Sequence, residues 1–128
     1  MTLEVKRAEW KPFFDSLSSE LANWDTTVHV LDAASGAQLL TDRLPFHGLT
    51  LESIGGRETI GLSVGFDKDT HQTHSILWPT KVAYAERGHG PAGTLDIEDA
   101  AGTTTLITFI EPHRELMERG PSDLAGRG

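Results

Sequence analysis

The chain contains no cysteine among its 128 residues. Disulfides, thiolate nucleophiles, zinc knuckles and iron–sulfur ligation are therefore excluded, and a reducing cytoplasm is the expected compartment. No apolar run approaches the roughly 18 residues of a membrane span. The opening "MTLEVKRAEW" lacks the basic-then-apolar order of a signal peptide. Basic residues are few as well, 11 Lys and Arg against 19 Asp and Glu, for a formal charge of −8. Such a chain is repelled by phosphate backbones, and Lys6, Arg7 and Lys11, its one local basic group, are diluted by Glu4 and Glu9. Neither nucleic acid nor membrane is an expected partner. Phosphate loops and dinucleotide fingerprints are also absent, since the glycines of "GHGPAG" carry a proline and no following helix.

What remains is an ordinary globular composition, 38% apolar and 23% charged, with room for one domain. We expect that domain over residues 1–119, with 120–128 ("GPSDLAGRG") as a disordered tail after a short C-terminal helix in "EPHRELMERG". Near the start, Trp10, Phe13, Phe14, Leu17, Leu21 and Trp24 recur at helical spacing. With Pro12 suited to a first turn, the pattern predicts a helix from about Lys11 to Ala22. From Thr26 the period becomes two. "TTVHVLD", "AQLLTDRL", "GLTLESI", "ETIGLSVG", "HQTHSILW", "KVAYAE", "TLDIED" and "TTTLITF" read as short strands joined mostly by hairpins at Gly36, Gly55-Gly56 and Gly102. The similar stretches "LDAASGAQLL" and "EDAAGTTTLI" read as one turn chemistry used twice. The expected fold is α+β: an N-terminal amphipathic helix packed on a curled, mainly antiparallel sheet or partial barrel of about seven to eight short strands.

The densest group of reactive side chains is "FDKDTHQTHSI", which holds Asp67, Asp69, His71 and His74. These four are the candidate metal ligands, with His29, His47 or His89 able to complete a set. On an extended strand His71 and His74 would face opposite sides; if the strand begins only at Thr73, His71 sits in the turn and chelation is open. The bland alternative is a polar turn feeding a strand, with His74 on the inner face near its rim. An EF-hand fails because Gln72 takes the glycine position and Trp78 the bidentate glutamate position. "GLSVG" matches the nucleophile-elbow pattern, but Ser63 lies inside the alternation Ile60, Leu62, Val64. Asp96 and Glu98 alternate with Leu95 and Ile97 and so face away from the apolar side. No catalytic residue and no cofactor is expected.

The stretches "RAEWKPFFDSLS", "LPFHGLTLE", "THSILWPTKV" and "DAAGTTTLITF" together resemble a small bacterial family, domain of unknown function 5335, across most of residues 4–110. The resemblance implies one compact domain and no assigned activity. The expected function is a non-catalytic binding or protein-interaction module, with exposed sheet edges favouring a homo-oligomer or a protein partner. The alternative is a small-ligand or divalent-metal domain built on the 67–74 Asp/His cluster.

Overall fold

The computed structural model describes residues 2–66, 71–86 and 92–111. In chain order these form β1 (Thr2–Val5), a 3-10 turn (Arg7–Glu9), α1 (Trp10–Glu20), β2 (Asp25–Asp32), β3 (Gly36–Ile54), β4 (Arg57–Val64), β5 (Gln72–Leu77), β6 (Pro79–Glu86), β7 (Gly93–Asp99) and β8 (Thr104–Ile110). Every strand pairing is antiparallel, and the order across the sheet is β1-β6-β7-β8-β2-β3-β4-β5. The expected C-terminal helix and tail, and most of the "GHGPAG" loop, lie outside the described residues.

The α+β expectation is corrected. Strands make up 66% of the described residues, the helix has 11 residues, and the sheet does not close, so the fold is mainly β. The helical signal dominates the sequence because one helix concentrates its apolar stripe in three turns, whereas the strands spread theirs over the rest of the chain. Trp10, Phe14, Leu17 and Leu21 are buried in the common core, and Phe13 and Trp24 pack at its margin. Each buried aromatic or leucine contributes roughly 1.5–3 kcal/mol, so the helix is held by its docking. It ends where Asn23 takes the left-handed conformation (φ 69°), a stop that asparagine tolerates.

β3 is a single strand of 19 residues where the sequence suggests two. Its first half pairs with β2 and its second with β4. Between them the chain bends: Arg43 is left-handed (φ 60°) and a register shift separates Phe46 from Gly48. Bulges turn a strand from one sheet into another in this way. Phe46 sits at the switch, fully buried, with its ring edge-on to Phe109 at 4.9 Å. On the far side of β3, Ser18 of the helix closes the edge, its hydroxyl accepting from the Leu49 N–H at 3.0 Å.

The repeated turn chemistry is real. Asp32 accepts from the Ala34 N–H at 2.7 Å, and Asp99 accepts from the Ala101 N–H at 3.0 Å. Each aspartate folds the backbone two residues on, and Gly36 and Gly102 supply the positive φ that follows (77° and 89°).

Candidate binding groove

β5 is an outermost strand and pairs with β4 alone. Residues opposite one another in an antiparallel ladder alternate between bonded and non-bonded pairs. Trp78 donates its N–H to the Glu58 carbonyl at 3.1 Å, which fixes the phase: Gln72, His74 and Ile76 bond toward β4. Thr73, Ser75 and Leu77 therefore turn their N–H and C=O groups to the free edge, and all three are exposed. Among the described residues no strand covers that edge.

The opposite end of the sheet is shorter. β1 has four residues, and its Val5 carbonyl accepts from the Trp10 indole at 2.9 Å. A cavity of about 510 Å³ lies beside it, lined by Leu3, Phe13 and Tyr84 together with Glu4, Glu9 and Glu86. Arg7 stacks over Trp10 at 4.7 Å and pairs with Glu58, tying the 3-10 turn to β4.

Two cavities run along the inner flank of β5 and meet at His74. One, about 390 Å³, is lined by Val30, Ile76, Trp78 and Thr105; the other, about 370 Å³, by Leu40, Thr41, Leu62 and Gln72. At the upper end Trp78 is 53% exposed and left-handed (φ 55°). This conformation costs a side-chain-bearing residue about 1–2 kcal/mol. Two backbone bonds hold it, the one to Glu58 and another in which its carbonyl accepts from the Ala100 N–H at 2.9 Å. Leu40 and Leu77 are also exposed, so the groove has apolar lips at both ends. Half-buried His74 points inward with Ile76, and burial pushes its pKa below the ordinary value.

The candidate metal ligands are distributed differently from a single cluster. Asp67 and Asp69 lie outside the described residues. β5 begins at Gln72, so His71 stands just before the strand. Its ring stacks on that of His47 at 5.5 Å, while His47 Nε2 bonds the Gly65 carbonyl at 2.6 Å. His74 faces the groove instead. Among the described residues no group of three His, Asp or Glu side chains could hold a metal ion.

Ser63 is the penultimate residue of β4, paired with Gly48 and Thr73, and does not sit on a turn into a helix. A Cβ at Gly61 would stand 2.9 Å from the Thr50 hydroxyl, which would have to shift; Gly65 (φ 140°) follows the end of β4.

Fold and groove together define an open, mainly β domain with an unprotected edge at β5. The chain belongs to a family of unknown function, DUF5335, whose model matches residues 1–118. It is also 25% identical over 118 residues to an uncharacterized protein of Aquifex aeolicus (strain VF5), covering 91% of this chain and 98% of that one. No solved structure matches it. Among the described residues no helix is long and apolar enough to cross a membrane.

Proposed function

We propose that this chain is a non-catalytic interaction module that accepts an extended segment of a partner protein as an added strand on β5. The observation that carries the reading is the outward backbone ladder of Thr73, Ser75 and Leu77 beside an apolar groove. Main-chain hydrogen bonds would supply affinity and the groove would select side chains, the division of labour of strand addition. Exposed Trp78 and Leu77 give the incoming segment aromatic and aliphatic contacts.

The test uses peptides selected on the intact protein from a random extended-peptide library. Binding should slow hydrogen exchange at the amides of Thr73, Ser75 and Leu77. Ser75→Pro, which removes an outward N–H and leaves the β4 ladder intact, should abolish it. A selected peptide that protects none of these amides, or a library that yields no binder, overturns the reading.

A second reading, divalent-metal binding, is favoured by the stacked imidazoles of His47 and His71. A metal at about 100 times its dissociation constant adds about 2.7 kcal/mol of stability. The expected result is a metal-specific rise in melting temperature that His71→Ala removes. No shift with any divalent metal disposes of this reading.

A further inference from the structure

The larger part of the sheet, β1-β6-β7-β8-β2 and the first half of β3, has a second face that no described element covers. Its inner face carries Val28, Val82, Leu95, Ile97 and Ile107, all buried, so the alternating residues point outward. The pairings align one outward row across all six strands: Glu4, Ala83, Asp96, Leu106, His29 and Leu39. Leu106 stands in this row with Asp96 one strand to one side and His29 one strand to the other.

We infer that this outer face binds a second copy of the chain across a two-fold axis parallel to β8 and passing over Leu106. Such an axis exchanges the two sides of the row. Leu106 meets Leu106, Asp96 of each copy faces His29 of the other, and Leu39 of each copy lies over Ala83 of the other.

Three observations converge on self-complementarity. The first is charge: a carboxylate and an imidazole sit at equal distances from the axis, and an imidazole can donate to a carboxylate and, when protonated, carries the opposite charge. The second is the setting of Asp96, a carboxylate only partly open to solvent. Burial pushes its carboxyl pKa up, Glu98 adds to the rise, and Lys81 opposes it. A cationic ring from a second copy would stabilise the ionised form. The third is shape. Leu39 is 55% exposed, whereas Ala83, a much smaller side chain, is 5% exposed. Two sheets pack face to face at about 10 Å, a separation these side chains span.

Sedimentation velocity from micromolar to near-millimolar protein tests the interface. The full chain should show a concentration-dependent dimer. Leu106→Glu, which places like charges on the axis, should remain monomeric with an unchanged circular dichroism spectrum. Asp96→His and His29→Asp should each weaken the dimer about tenfold or more, and the double exchange, which restores opposite charges across the interface, should recover it. Ser75→Pro should leave it intact. A full chain that stays monomeric, single exchanges that match the parent, or a dimer lost in Ser75→Pro would each overturn the proposal.

Discussion

The pairing of Phe46 with Phe109 offers a quantitative test of how the two parts of the sheet are joined. Both rings are fully buried, edge-on at 4.9 Å, and Phe46 occupies the point where β3 leaves one set of partners for another. Replacing either ring by alanine removes its burial and leaves a cavity, at a cost of about 3–5 kcal/mol. The edge-to-face contact is worth about 0.5–1.5 kcal/mol beyond area. Phe46→Ala, Phe109→Ala and the double variant should therefore fail to add, with a coupling of about 1 kcal/mol. With a urea m-value of roughly 2 kcal/mol/M, each single variant lowers the midpoint by about 2 M. Equilibrium urea unfolding followed by tryptophan fluorescence reads these quantities, and Phe46→Leu keeps the experiment usable where alanine does not fold. A cost under 1 kcal/mol for Phe46→Ala would refute the argument, because the switch point would then be no part of the core. Strict additivity would refute the ring contact.

His74 makes stability depend on pH. Its folded pKa lies below the unfolded value of 6.5, the cause being burial. The unfolded chain therefore binds the proton more readily, and stability falls as pH drops through that value toward the folded pKa. His74→Gln should flatten the urea midpoint between neutral and mildly acidic pH; an unchanged slope would assign the dependence elsewhere. Gly93→Ala should cost more than about 2 kcal/mol, since a Cβ there would lie 2.3 Å from the Ala85 carbonyl oxygen. A melt matching the parent would show that β6 and β7 can separate without penalty.

Local features were the legible ones. The Asp32 and Asp99 turns are short-range hydrogen bonds, so two similar strings of letters announced them. Asp96 and Glu98 face outward as their alternation implies. β3 reads as two strands in the sequence because Pro45 and Gly48 interrupt its alternation, whereas the strand passes through them with a change of partner that only the fold specifies. β1, four residues and mostly exposed, carries too little pattern to be read from sequence. The stack of His71 on His47, and the freedom of the β5 edge, depend on which strands become neighbours. No spacing within "FDKDTHQTHSI" contains that information.

The pairing of β2 with β8 has a consequence for the order of events during synthesis. Asp25 meets Ile110 and Thr26 meets Phe109, so a strand made early waits for nearly the last one described. β1 waits similarly for β6. At about 5–20 residues per second a ribosome keeps β2 half-paired for several seconds. The β2–β3 hairpin and β4 can assemble in that interval, leaving Val28 and its neighbours without their β8 cover. A nascent chain of this design is therefore most adhesive late in its own synthesis, and a transcript cut short before Thr104 would release a product that cannot shield its own interior.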